Sequence, residues 1–361
     1  MKSNKILFFS LLILLSCDNN IEKKNKSPRI KSFTKIISPS SNSIFRENDS
    51  INIEVKSYSE KILKSTLILR SDTLIFQDKI KISTNRFMQF GKQRIIIENE
   101  LLDKKVESIS KTFYIYPSNK PSDINYKVLK ILPHNKDNYT QGLLIHENNL
   151  FESSGQYGKS FLRKSSISDN STLNKIMIED NYFAEGITIY DNKLFMLTWK
   201  SNKGFIYDIN SFKKIGEFNY QTEGWGLSTY QNQLLMSDGS EKIYFRNPQD
   251  FDIIKTLEVY DNNGKVENIN ELEIINNKLF CNVYGEDIIL IVNINSGKVE
   301  GKLNLENLFN KNNYNDKIDV MNGIAYNNKT NSILVTGKWW PSMYEIEILN
   351  KNYYESKWYN K

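Results

Sequence analysis

Cysteine and histidine are scarce: the 361-residue chain carries two of each. That excludes a zinc ribbon, an iron–sulfur cluster or a disulfide framework, each of which needs several such side chains. Glycine and proline number 16 and 7, too few for collagen or a proline-rich stalk. No apolar run reaches the roughly 18 residues of a bilayer-spanning helix. Excess charge is small as well, 48 − 42 = +6, and it is spread along the chain. It reads as solubility, and no nucleic-acid partner is expected. What the chain has is aromatics, 20 Tyr, 19 Phe and 5 Trp, which argues against a disordered polymer. The length suggests two domains at about 150 residues each.

The first 17 residues read as an address. Lys2 and Lys5 precede the largely apolar run Ile6–Leu15, followed by Ser16 and Cys17. A basic start, a short apolar core and a small residue before the cut describe a secretory signal. Leu14-Leu15-Ser16-Cys17 also resembles the bacterial lipobox, in which cleavage before the Cys leaves it lipidated and N-terminal. The expectation is a lipoprotein signal at 1–17 and a polar tether at 18–28. The protein is then held on the bacterial cell envelope, facing the periplasm or the exterior. Lipidation of Cys17 leaves Cys281 as the one remaining thiol, so no internal disulfide can form.

Residues 29–117 alternate with the period of two that half-buried strands require. Ile51, Ile53 and Val55 start the pattern, Leu67 and Leu69 continue it, and Thr112–Tyr116 closes it. Several short strands without helical periodicity predict a small immunoglobulin-like β-sandwich. No acid, base or nucleophile cluster stands out there, which points to a spacer or docking module. Pro117-Ser118-Asn119-Lys120-Pro121 is rich in turn formers and marks the boundary.

From residue 125 to 361 the chain repeats. A short apolar segment recurs at Asn149–Ser153, Lys193–Leu197, Gln233–Ser237, Lys278–Asn282 and Ser332–Thr336. Its equivalent positions 150, 194, 234, 279 and 333 are 44, 40, 45 and 54 residues apart. Repeats of about 40–50 residues with several strands each predict a β-propeller, here five-bladed. The fifth repeat nearly runs out of chain before an outer strand, and Tyr126–Leu132 is placed to supply one from the other end. In a propeller the first strand of each blade lines the central channel. That brings Gln141, Glu185, Glu223, Trp225, Asn270, Glu271, Glu273 and Asn322 toward one axis, with Trp199, Lys338, Trp339 and Trp340 at the second strands' ends. Amides, carboxylates, one lysine and tryptophans around a funnel suit a small polar ligand.

The motifs themselves carry a resemblance. Tyr139-Thr140-Gln141-Gly142-Leu143, Phe183-Ala184-Glu185-Gly186-Ile187-Thr188 and Leu197-Thr198-Trp199 are three of them. Glu223-Gly224-Trp225-Gly226-Leu227, Asn270-Glu271-Leu272-Glu273, Asn322-Gly323-Ile324-Ala325 and Lys338-Trp339-Trp340-Pro341 follow in order. Together they resemble the plant and bacterial type of glutaminyl-peptide cyclotransferase over about 125–350, and that family is a five-bladed propeller. Two departures stand out: Ala184 replaces a usual glycine, and Tyr284 stands where a tryptophan is usual.

The resemblance implies conversion of an N-terminal glutamine to pyroglutamate with release of ammonia, acting on peptides or proteins. It implies Glu185 as the catalytic acid–base group. Gln141, Asn270 and Lys338 would hold the carboxamide or the amine, and Trp199, Trp225 and Trp340 would wall the pocket. The scheme calls for no metal and no cofactor, and a monomer is expected. Two alternatives belong to other classes. One is a non-catalytic ligand-binding surface lipoprotein. The other is a calcium-dependent propeller hydrolase of the lactonase kind, because Glu and Asn are also oxygen ligands for a hard cation.

Overall fold

The computed structural model describes residues 32–58, 61–69, 72–310 and 317–349. The signal and tether read at 1–28, with Cys17, lie outside the described residues. Among those described, regular structure is all β except for one 3-10 turn at Thr84–Arg86. None of the described helices is long and apolar enough to cross a membrane.

The N-terminal region forms two sheets. One orders Thr34–Ser38, Ser50–Ser57 and Lys79–Ser83. The other orders Ile44–Arg46, Val106–Tyr116, Gly91–Leu101, Ile62–Ile68 and Thr73–Phe76. Alternation decides which faces meet: Ile51, Ile53 and Val55 of the first pack in one core with Leu67, Ile95, Ile97 and Phe113 of the second. Each such fully buried side chain contributes roughly 1.5–3 kcal/mol.

Five sheets follow, each with four antiparallel strands, one of them carrying a further parallel edge strand. Their first strands are Thr140–His146, Ala184–Tyr190, Leu227–Tyr230, Ile269–Ile275 and Met321–Asn327. These first strands touch one another in cyclic order, the fifth returning to the first. They are also buried on both faces over most of their length, whereas an outermost strand such as Thr172–Met177 has an exposed side at alternate residues. The fifth sheet takes its last strand from far upstream. Tyr126–Pro133 pairs antiparallel with Ser342–Ile348, from Tyr126 opposite Ile348 to Pro133 opposite Ser342. A buried polar clasp sits beside this joint. The His134 amide donates to the Pro341 carbonyl, and its ring lies between the Trp340 carbonyl at 2.6 Å and Glu152 Oε1 at 2.9 Å. Burial alone would raise the Glu152 carboxyl, but His134, Arg163 and the Thr140 hydroxyl together hold it below its ordinary value.

The stretch just after the boundary turn contains a strand. Ser122–Ile124 adds in parallel to Val299–Asn304 as a fifth strand of the fourth sheet. The N-terminal sheets also dock against the third and fourth sheets. Lys298 Nζ meets Glu47 Oε2 at 2.6 Å, the Lys92 amide donates to Glu258 Oε2 at 2.8 Å, and the Tyr116 and Tyr260 rings pack 5.3 Å apart.

Candidate active site

The first strands are not regular where the polar motif residues occur. Pairing with the second strand slips between Thr140 and Gly142, between Ala184 and Ile187, between Ile269 and Leu272, and between Met321 and Ile324. Gln141, Glu185, Asn270 and Asn322 therefore lie in β-bulges, which leave a residue out of the ladder and re-aim its side chain. In the third sheet the first strand starts late, at Leu227, and the preceding Glu223-Gly224-Trp225 is irregular. The motif glycines have a separate reason. A Cβ on Gly186 would stand 2.5 Å from the Leu227 amide nitrogen, and one on Gly226 would collide with the Asn270 carbonyl. Neighbouring first strands approach too closely there for any side chain.

Six of the residues expected at the site, Gln141, Glu185, Trp199, Trp225, Asn270 and Lys338, line one cavity of ≈ 250 Å³. Tyr139, Gln156, Phe183 and Tyr284 complete its wall. Glu185 is 5% exposed, and burial pushes its carboxyl well above the ordinary value. The Lys338 charge opposes that shift and the Glu223 charge adds to it. Lys338 is itself buried, which lowers its ammonium below the ordinary value against the pull of Glu185 and Asp319. Its Nζ lies 4.8 Å from the Tyr139 ring centre and 5.2 Å from that of Tyr284, a cation–π seat for a desolvated charge. Tyr139 is oriented by its hydroxyl, which donates to Asp319 Oδ2 at 2.8 Å. Gln141 Oε1 and Asn270 Oδ1 are buried acceptors with no protein partner. Such acceptors cost free energy unless a donor arrives, and a bound amine or amide supplies one.

Glu223 does not face the ligand as a spare base. Its Oε2 accepts from Trp199 Nε1 at 2.7 Å and from Trp225 Nε1 at 3.0 Å, so one carboxylate oxygen fixes both indoles. Replacing it by alanine is expected to free the two rings and raise KM about tenfold, with a smaller fall in kcat. Because the Glu223 charge raises the Glu185 carboxyl, the acid limb of the kcat/KM profile of Glu223→Ala shifts to lower pH. Steady-state kinetics across pH read both effects.

Trp340 corrects the sequence expectation. It is 1% exposed and does not line the cavity; its ring stacks on Phe309 at 4.4 Å and its indole N–H donates to the Asp319 carbonyl at 2.9 Å. It is a core residue that braces the loop carrying Lys338. Its neighbour Trp339 is half exposed and packs on Tyr139 at 4.5 Å. Glu271, Glu273 and Asn322 also lie outside the cavity lining. Glu271 accepts from the Ile324 amide at 3.0 Å and the Leu143 amide at 3.4 Å, and Asn322 donates to the Thr140 and Gln141 carbonyls. Glu273 accepts from the Tyr326 amide at 2.9 Å. These groups tie first strands to one another.

The wall residues Tyr139 and Phe183 open motifs quoted above without a role assigned to them. Gln156 has no motif signal: it sits in the turn after Asn149–Ser154 and is brought in by the fold. Tyr284 occupies the wall with its ring edge toward Trp225 at 5.7 Å, so a phenol fills the place of the usual indole.

The sequence model of the family described as glutamine cyclotransferase matches residues 101–348. A glutaminyl-peptide cyclotransferase of Arabidopsis thaliana is 35% identical over 236 residues, which cover 63% of this chain and 73% of the plant protein. The crystal structure of Myxococcus xanthus glutaminyl cyclase superposes with a TM-score of 0.59 at 28% identity, over 63% of this chain and 98% of that one.

Proposed function

The chain belongs to the glutamine cyclotransferase family and is an enzyme of glutaminyl-peptide cyclisation; from that premise we propose that Glu185 performs the proton transfers without a metal. The observation that carries the reading is the buried Glu185 carboxyl, sharing one cavity with the Lys338 ammonium and two unpartnered amide oxygens.

The substrate's own α-amine is the nucleophile, so the enzyme needs none. The N-terminal glutamine folds so that its amine meets its γ-carbonyl, and the Trp199 and Trp225 walls restrict it to that pose. As the C–N bond forms, the Glu185 carboxylate accepts one amine proton, while Gln141 Oε1 and Asn270 Oδ1 are acceptors for the remaining amine N–H and for the γ-amide N–H. Negative charge grows on the former carbonyl oxygen, where the Lys338 ammonium stabilises it. Protonated Glu185 then gives its proton to the γ-nitrogen, the C–N bond breaks, and pyroglutamate and ammonia result. A carboxyl that burial raises above its ordinary value is suited to both halves of this exchange. Among the described residues no group of three or more His, Cys, Asp or Glu converges as metal ligands would. Mass spectrometry of a glutamine-initiated peptide incubated with the protein should show loss of one ammonia, undiminished by a chelator. Loss of activity with chelator would favour the calcium reading.

The same proposal covers the architecture. The cyclic contact of five first strands supports a five-bladed propeller over 125–361, and the two facing sheets support an immunoglobulin-like sandwich over 29–117. The pattern from Lys2 to Cys17 supports a lipid anchor on the cell envelope. Growth with a labelled fatty acid is expected to tag the wild type and leave Cys17→Ala untagged; a tagged variant would refute the anchor.

A further inference from the structure

One buried titratable pair takes no part in the cyclisation step. The side chains of His134 and Glu152 are both fully buried, with 2.9 Å between Nε2 and Oε1, and neither lines the cavity. Their partners fix where the hydrogens are. His134 Nδ1 lies 2.6 Å from the Trp340 carbonyl, which can only accept. The Thr336 hydroxyl, 3.3 Å from the same nitrogen, donates to the Ser342 carbonyl at 2.9 Å, so toward the ring it too can only accept. On the other side, Glu152 Oε1 accepts from the Thr140 hydroxyl at 2.6 Å and Oε2 from the Asn138 side-chain amide at 2.7 Å. His134 and Arg163 are the positive groups that act on this carboxyl and help hold it below its ordinary value, so it is an acceptor only. The ring then donates from both nitrogens, which makes it an imidazolium.

The bonds of this pair lead to two stretches of the site. Asn138 and Thr140 flank Tyr139, a wall of the cavity, and Thr140 precedes Gln141. Trp340 lies two residues after Lys338. The same stretches are tied again through the backbone. The amide of Trp339, whose ring borders a neighbouring cleft, donates to the Asn138 carbonyl at 2.7 Å, and the His134 amide to the Pro341 carbonyl at 2.9 Å. Where they meet, Lys338 Nζ sits 4.8 Å from the Tyr139 ring centre. A buried ion pair adds little stability over apolar packing of the same volume; charge-assisted bonds of defined direction are what it supplies. We infer that the His134–Glu152 ion pair is a positioning device for the reaction: it fixes Lys338 against Tyr139, and so places the ammonium where negative charge develops, without touching substrate. This rests on the part given to Lys338 in the cyclisation step.

The test is a double-mutant cycle of Glu152→Gln with Lys338→Met, read in kcat and KM for a glutamine-initiated peptide. The glutamine amide offers one acceptor oxygen where three donors point, so the two stretches shift against each other. With Lys338 present, Glu152→Gln is expected to lower kcat about tenfold to hundredfold, the scale of a misplacement of about 1 Å. KM should change less than about threefold, because the tryptophan walls remain. In the Lys338→Met background the same substitution should lower kcat less than about twofold further, since the group it misplaces is already gone. Equal losses in both backgrounds would overturn the inference, because a general loosening of the fold does not depend on Lys338. An unchanged kcat in Glu152→Gln would overturn it as well. If Lys338→Met alone keeps full kcat, the part given to Lys338 fails first and this inference with it. Should Glu152→Gln not fold, Thr140→Val takes its place: it removes one donor at nearly constant volume, and about a fivefold loss of kcat is expected only where Lys338 is present. The wild type is tested directly by nitrogen-15 NMR of its two histidines, assigned with His146→Gln. Hydrogen on both ring nitrogens of His134 is expected, and a bare ring nitrogen would overturn the ion pair.

Discussion

Glu185→Gln is expected to lower kcat by about 10²- to 10⁴-fold, or about 3–5 kcal/mol of barrier, with little change in KM. The amide keeps the volume and much of the hydrogen bonding of the carboxyl but cannot exchange a proton. The tryptophan walls and the two amide oxygens that hold the ground state are left in place, so binding persists. The pH dependence follows from the direction of the shift. Burial raises the Glu185 carboxyl well above its ordinary value, so the carboxylate that acts as base is populated only above that raised pKa. Activity is therefore lost as pH falls through a range higher than ordinary carboxylates titrate, and wild-type kcat/KM should show that acid limb. In Glu185→Gln the limb disappears from the residual rate. If the variant kept more than about a third of wild-type kcat, far above that range, the proton transfer would belong to another group. Glu223 is then a poor replacement, because both indoles already occupy one of its oxygens.

A chain beginning at His134 is expected to be insoluble, while one beginning at Ser118 stays folded and active. The shorter chain lacks Tyr126–Pro133, the last strand of the fifth sheet. Its loss leaves Ser342–Ile348 as an open edge that carries the buried side chains of Met343, Tyr344, Ile346 and Ile348. Such an edge pairs with other chains. The longer chain keeps that strand and Ser122–Ile124 as well. It loses the docked N-terminal sheets and uncovers Tyr260 and the Lys298 ammonium, for which a fall in Tm of less than about 10 °C is expected. Thermal melts and turnover of the two chains check this; equal melting temperatures would mean that Tyr126–Pro133 does not close the ring.

Much of the site was legible because its residues recur at one place in each repeat. Gln141, Glu185 and Asn270 each follow the start of a first strand, and the bulges that aim them coincide with those repeated motifs. Trp340 misled because adjacency cannot say which of two tryptophans faces in: the positive φ of Trp339 turns the chain so that 340 enters the core and 339 faces the neighbouring cleft. Ser122–Ile124 was hidden in turn-forming composition. Three residues are too short for alternation to show, and its partner Val299–Asn304 lies far along the chain. Gln156 had no local signal, since a turn residue reaches a cavity only once the sheets are assembled. Glu271 was read as a channel carboxylate, and the structure gives it a different setting. It stands where the other four first strands have Gly142, Gly186, Gly226 and Gly323.

That substitution decides how the first strands are tied together at the axis. Where the other first strands have a glycine, the fourth inserts a carboxyl, 1% exposed, that reaches Ile324 on the adjacent fifth sheet and Leu143 on the first sheet across the ring. The tie runs across the ring and not only around it: one side chain couples the first strands of the first, fourth and fifth sheets, whereas the glycines bring only adjacent pairs into close approach. Joining the ends through Tyr126–Pro133 and holding the centre through Glu271 are thus two separate fastenings of one assembly.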